Sequence, residues 1–170
     1  MPSPVSSFQT RIDVAPDVRQ KMIAVLNRQL AQTLDLYRQA KQAHWNVKGT
    51  EFFQLHKLFD KVAEDVVEFI DTIAERVAAL GGYASGTARM AAANSSLPEY
   101  PRGAIDGRQH LEALIDRFAR YTASNRRALD AARNEGDAAT ADAFTDVARA
   151  ADKALWFLEA HLQAVAQKAA

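Results

Sequence analysis

The chain has no cysteine in its 170 residues. That excludes a disulfide framework and any thiolate metal site, so a metal would have to be held by histidine and carboxylate. It has no excess of charge either. Its 21 basic and 21 acidic side chains leave a formal net charge of zero, hence no global pull toward nucleic acid or an anionic membrane. No apolar run reaches the roughly 18 residues that a membrane-spanning helix needs. The first ten residues, MPSPVSSFQT, lack the basic and apolar regions of a secretory leader. A soluble, cytoplasmic protein is expected. There is no internal repeat and no low-complexity segment, and the length fits one domain.

What is present is helical periodicity. Residues 1–12, with two prolines and three serines, carry no pattern and read as a flexible tail; 13–167 read as the folded domain. Pro16 suits the first turn of a helix. From there Met22, Val25, Leu26, Leu30, Leu34 and Tyr37 recur at three and four, which predicts an amphipathic helix ending near Asn46 to Gly49. A second helix runs from Thr50 or Glu51 to Leu80. Its apolar stripe is Phe52, Leu55, Phe59, Val62, Val66, Phe69, Ile70, Ile73 and Val77, and Gly81–Gly82 stop it. Residues 81–103 form a long connection in which TARMAAAN predicts a short helix, with Pro98 and Pro101 ending it. A third helix is predicted over Ile105–Asn134, a turn at NEGDAAT, and a fourth helix over Ala138–Ala166.

Four long helices with short loops and one long crossover predict an all-α, ferritin-like four-helix bundle whose crossover carries a short helix. Bundles of that class often hold metal through Glu-x-x-His inside one subunit. This chain has no Glu-x-x-His, so the bundle core is expected to be apolar and metal-free.

The chemistry concentrates between His44 and Glu75. His56 and Asp60 are i and i+4, as are Asp71 and Glu75, so each pair shares a helix face. Imidazole with carboxylate suits Fe, Mn or Zn. Distance then decides how the pairs can cooperate. At about 1.5 Å per residue, Asp60 and Asp71 are roughly 16 Å apart on one helix, whereas paired metals sit roughly 3.5–4 Å apart. One straight helix cannot bring both pairs to one centre. Two antiparallel copies across a two-fold axis can, and would make two equal sites. The plainer alternative is a solvated acidic face with ordinary helical histidines.

The segments KQAHWNVKG at 41–49, HKLFD at 56–60, DTIAERVAALGGYASGT at 71–87 and DKALWFLEAHL near the end closely resemble the Dps family of ferritin-like mini-ferritins. The similarity runs from about Thr10 to His161. It implies a di-iron ferroxidase site across a dimer interface, with ligands at His44, His56, Asp60, Asp71 and Glu75. Asp60 and Glu75 would be the principal iron ligands, Glu75 in a bridging position. The resemblance also implies oxidation of Fe(II) with hydrogen peroxide as the preferred oxidant, protecting against oxidative damage. Ferric mineral would be stored in a hollow dodecamer of two-fold dimers.

Other residues have two readings each. Glu64 and Glu68 continue the spacing of His56 and Asp60, either as a solvated face or as an acidic line that nucleates iron mineral in a cavity. Asp142 and Asp146 either complement the dipole at the start of the fourth helix or line an ion-entry pore. Trp45 is expected to pack, because a large aromatic contributes mostly by burial. His110 and His161 have no partner at ligand spacing and read as structural or exposed. The competing functions are a nucleoid-associated DNA-compacting protein and a structural bundle without metal chemistry. DNA-binding relatives often use a lysine-rich tail. Here the first basic residue is Arg11 and the last nine residues offer only Lys168, so weak DNA binding is expected.

Overall fold

The computed structural model describes residues 8–166; positions 1–7 of the expected tail and residue 167 of the expected domain lie outside them. Five helices follow in order: α1 Pro16–Asn46, α2 Phe52–Ala79, α3 Ala88–Asn94, α4 Gly107–Asn134 and α5 Ala138–Ala166. Among the described residues there is no strand, only an isolated bridge between Lys48 and Asp106.

Local chemistry sets the helix ends. Pro16 opens α1 with Asp17 in its first turn. The predicted third helix begins two residues later than expected, because Asp106 serves as its cap. Asp106 accepts from Gln109 N at 3.0 Å, and Gln109 Oε1 accepts from Asp106 N at 3.3 Å, a reciprocal capping box. Thr87 caps α3 by accepting from Met90 N. At the end of α2 the chain turns through Gly81 at φ +84, a conformation that favours glycine. A side chain there would also collide with the Phe8 carbonyl, which accepts nothing from it but whose own amide donates to Gly81 O at 2.7 Å.

Two hairpins make the bundle. α1 lies along α2, α4 along α5, and the pairs meet through α1 against α4 and α2 against α5, with α3 laid on α1. Tyr121, Phe59, Phe118 and Phe144 are the largest fully buried side chains. Each such residue contributes about 1.5–3 kcal/mol, against about 0–1 kcal/mol for a surface ion pair, so burial holds the bundle. The Tyr121 hydroxyl is satisfied by Thr33 Oγ1 at 2.9 Å, and burial pushes its pKa up to about 12. No described helix is long and apolar enough to cross a membrane.

The crossover is sewn down by side chains rather than by secondary structure. Asn27 bonds both Tyr83 O and Ser85 N. Asp35 accepts from Ser95 Oγ at 2.6 Å. Buried Arg117 donates to Glu99 O at 2.7 Å and to Gln39 Oε1 at 3.2 Å. Lys48 N donates to Ile105 O at 2.8 Å, which ties the end of the crossover to the turn between α1 and α2. That turn carries the candidate site.

Candidate metal centre

His44, in the last turn of α1, and His56, in the second turn of α2, face each other across the short connection. Their rings stack with centroids 3.8 Å apart and planes 22° from parallel. The contact is reciprocal. His44 Nδ1 donates to the His56 carbonyl at 2.8 Å, and His56 Nδ1 donates to the His44 carbonyl at 2.9 Å. In the neutral tautomer a ring that spends its Nδ1 proton on a carbonyl leaves Nε2 as its lone-pair atom, the arrangement that orients histidine as a metal ligand. Both rings are therefore fixed in a ligating tautomer by the backbone of the other.

Asp60 lies beside them, with Oδ1 3.8 Å from His44 Nδ1. It is already engaged by Lys41, whose Nζ donates to the same oxygen at 2.6 Å. The Lys41 hydrogen bond holds the Asp60 carboxyl below the usual range, with burial opposing and the nearby His44 and His56 assisting. Ligand spacing could not reveal Lys41, since a cation is not a metal ligand. Its position three residues before His44, on the same face of α1, was the available signal.

Asp71 and Glu75 are not brought to this cluster. Both are exposed. α2 is unbroken from Phe52 to Ala79, so the separation of about 16 Å from Asp60 to Asp71 stands. Among the described residues of one chain, no three His, Asp or Glu side chains converge as a metal cage. The acidic side chains point away from the core. Asp60, Glu64, Glu68, Asp71 and Glu75 fall within about 80° of one another at about 100° per residue. The buried Leu55, Phe59, Val62, Val66, Ile73 and Val77 occupy the opposite face. Glu64 and Glu68 are exposed and form no ion pair among the described residues.

Trp45 does not pack within the chain: it is 56 % exposed, as are Phe53 at 65 % and Val67 at 40 %. Phe52, placed in the apolar stripe, is also partly open. Trp45, Phe52 and Phe53 leave uncovered apolar surface near the two histidines in sequence, and Val67 adds to it about three turns further along α2. His110 is buried, with Nδ1 2.6 Å from Tyr100 Oη and its ring 6.1 Å from that of Phe59. His161 is exposed and donates to Phe157 O at 2.8 Å. On α5, Asp142 is exposed and shares a surface pocket with Arg133 and Thr145, while Asp146 pairs with Arg149.

His44, His56 and Asp60 offer nitrogen and oxygen donors of a kind that suits Fe, Mn or Zn, while Asp71 and Glu75 stand apart on the exposed face of α2. Comparison with known proteins shows the family. Residues 23–167 match the family model described as a ferritin-like domain. The chain is 40 % identical over 159 residues to a DNA protection during starvation protein of Agrobacterium fabrum, covering 94 % of this chain and 98 % of that protein. Among solved structures, DpsC from Streptomyces coelicolor superposes with a TM-score of 0.88 at 33 % identity, covering 92 % of each chain. The Dps protein from Vibrio cholerae O1, described as a member of a broad superfamily of ferritin-like diiron-carboxylate proteins, gives 0.85 at 29 % identity, covering 95 % of this chain and all of that one.

Proposed function

The chain belongs to the Dps family of ferritin-like proteins, and from that premise we propose that it is a ferroxidase and iron-storage protein whose substrate site is shared between two chains. One observation carries the reading. Two imidazoles with free Nε2 atoms stand beside Asp60, while the second carboxylate pair lies out of reach on the same unbroken helix. A second copy of α2, antiparallel across a two-fold axis, would bring Asp71 and Glu75 of one chain to His44, His56 and Asp60 of the other. The exposed Trp45, Phe53 and Val67 supply the apolar surface that such a contact would cover.

In this site Asp60 and Glu75 are the principal Fe(II) ligands, with His44, His56 and Asp71 completing two metal positions. Zn or Mn would fit the same donors. Carboxylate oxygen favours the harder Fe(III) product over Fe(II), which assists oxidation. Two Fe(II) each give one electron to one hydrogen peroxide, and two protons complete its departure as two waters. Lys41 must release Asp60 before a metal takes that oxygen. The product is stored as ferric mineral in a hollow homo-oligomer, a dodecamer of two-fold dimers, in the cytoplasm. Glu64 and Glu68 face the same side as the ligands and would nucleate mineral. Asp142, with Asp146, would guide cations to an entry pore, Asp142 carrying more of the effect because Asp146 is neutralised by Arg149.

An anaerobic Fe(II) titration followed by peroxide, read by absorbance, tests this. Binding should saturate near two irons per site, and peroxide should oxidise them faster than air. Asp60→Ala and Glu75→Ala should each lose the fast phase. Asp142→Asn should keep it and slow only mineral growth, most at low salt. Unchanged fast kinetics in both ligand variants would refute the assignment.

A further inference from the structure

On the side of the bundle where α1 meets α4 there is a pocket of about 380 Å³ that the iron chemistry does not use. Arg28 of α1 and Arg127 of α4 flank it, and Gln29, Gln32, Ser96 and Ser124 contribute its polar lining. No carboxylate lines it. Two other pockets combine arginine with acid, Arg133 with Asp142 in one and Arg38 and Arg102 with Asp35 and Glu99 in the other, and a third holds the single arginine Arg19 without an acid; the seam brings two arginines together. Some basic side chains of the described residues have a carboxylate partner, as Arg76 has Asp137 and Arg126 has Asp152. Arg28 and Arg127 form no ion pair among the described residues.

The polar lining is itself hydrogen-bonded. Gln32 Nε2 donates to Ser124 Oγ at 2.9 Å, and Ser124 Oγ donates to Gln29 Oε1 at 3.3 Å. Gln29 is 1 % exposed, and its side-chain amide also neighbours the buried Tyr121 hydroxyl. Two guanidinium forks offer planar, paired donors that match the edges of a tetrahedral oxyanion. We infer that the seam between α1 and α4 binds phosphate, with Arg28 and Arg127 as its charged clamps. The phosphate is either a free ion or a phosphate group of a nucleic-acid backbone. The latter would give this chain a contact for nucleic acid on its folded body, independent of any basic tail.

The test uses the assembled full-length protein and inorganic phosphate, followed by calorimetry in a phosphate-free, chloride-matched buffer. Wild type should bind phosphate, and the Arg28→Gln/Arg127→Gln double variant should bind it at least about tenfold more weakly, as loss of two charge-assisted contacts requires. Arg133→Gln, which removes an exposed arginine elsewhere on α4, should bind like wild type. Fe(II) oxidation should be equal in all three, which verifies that assembly is intact. A short DNA duplex distinguishes the sources. Displacement of bound phosphate by the duplex from wild type identifies backbone phosphate as a ligand of the seam; failure to displace it identifies the free ion. No phosphate binding by wild type, or equal weakening in Arg133→Gln and the double variant, overturns the inference.

Discussion

His44, His56 and Asp60 are tied to one another and to Lys41 within a chain, whereas Asp71 and Glu75, on the same helix, are exposed and form no ion pair or side-chain hydrogen bond among the described residues. The first half is organised before any metal arrives. Its rings are already oriented, so binding there costs little conformational entropy. The second half is two carboxylates on a rigid helix with no partner in the chain. Exposure keeps their charge solvated and inexpensive until a second chain covers them. The difference teaches where control of the proposed shared site would lie: the nitrogen donors would be set by folding, and the full carboxylate set by dimerisation.

The comparison breaks most sharply if the halves are destroyed separately. A His56→Ala/Asp60→Ala chain and an Asp71→Ala/Glu75→Ala chain should each form oligomers that lack the fast oxidation phase. Unfolded and refolded together, they form mixed dimers in which one site receives both damaged halves and the other receives none. With random pairing, half the dimers are mixed and half their sites work, so activity should return to about a quarter of wild type. Mixed oligomers that recover nothing would show that the site is not shared.

The organised half also has a buried support, which gives a smaller and pH-dependent effect. His110 packs near Phe59, the neighbour of Asp60, and burial lowers its pKa against the opposing influence of Asp106. Burial raises the Tyr100 pKa, so Tyr100 keeps its proton and donates it to His110 Nδ1 in the hydrogen bond of 2.6 Å. The fold therefore holds His110 neutral. Below the ordinary histidine value of about 6.5 the unfolded chain binds a proton that the folded chain lacks. Stability is fully present above that pH and falls as pH drops toward the depressed folded value, by up to about 1.4 kcal/mol per pH unit. His110→Gln, which can still accept from Tyr100, should be less stable at pH 8 but show a flatter decline between pH 7 and 5 in urea unfolding. Equal slopes would remove His110 as the origin.

Much of this was legible in the sequence, and what was not has physical reasons. Helix positions followed from apolar spacing and from local punctuation: Pro16, Gly81 and the turn before Ala138 act through neighbouring backbone alone. The start of α4 at Gly107 rather than Ile105 required seeing that Asp106 and Gln109 satisfy each other. Ligand spacing singled out His56, Asp60, Asp71 and Glu75, the resemblance to the Dps family added His44, and the helix between the pairs is unbroken. The reciprocal bonds between the two histidines join backbone and side chains twelve residues apart, and no pattern rule finds them. Trp45 was expected to pack because burial is the usual use of tryptophan. A single chain has nothing there to cover it, and sequence periodicity does not distinguish a core face from a face awaiting another chain. The path of the crossover depends on Asn27, Asp35 and Arg117 meeting distant backbone groups, which only the assembled fold specifies.

The smallest expected effect concerns Lys41, where the organised half is held partly by a competitor of the metal. The ammonium and the Asp60 carboxylate are partly buried, with side chains 21 % and 32 % exposed, so screening by solvent is incomplete. At neutral pH an ordinary carboxyl is already ionised, so the lowering of the Asp60 pKa by Lys41 adds nothing to metal binding there. What remains is competition for one oxygen and repulsion between two cations, and both weaken binding. Replacing Lys41 with methionine keeps the length of the stem and removes the charge. The Asp60 pKa should then rise, visible by carboxyl NMR. Zn(II), as a redox-inert probe, should bind more tightly. A partly exposed pair is worth about 0.2–1 kcal/mol, which corresponds to at most about fivefold in affinity, and the gain should shrink with added salt. Weaker Zn(II) binding in Lys41→Met would reverse the role, making Lys41 a positioning group for Asp60 in the loaded site rather than an occupant of the empty one.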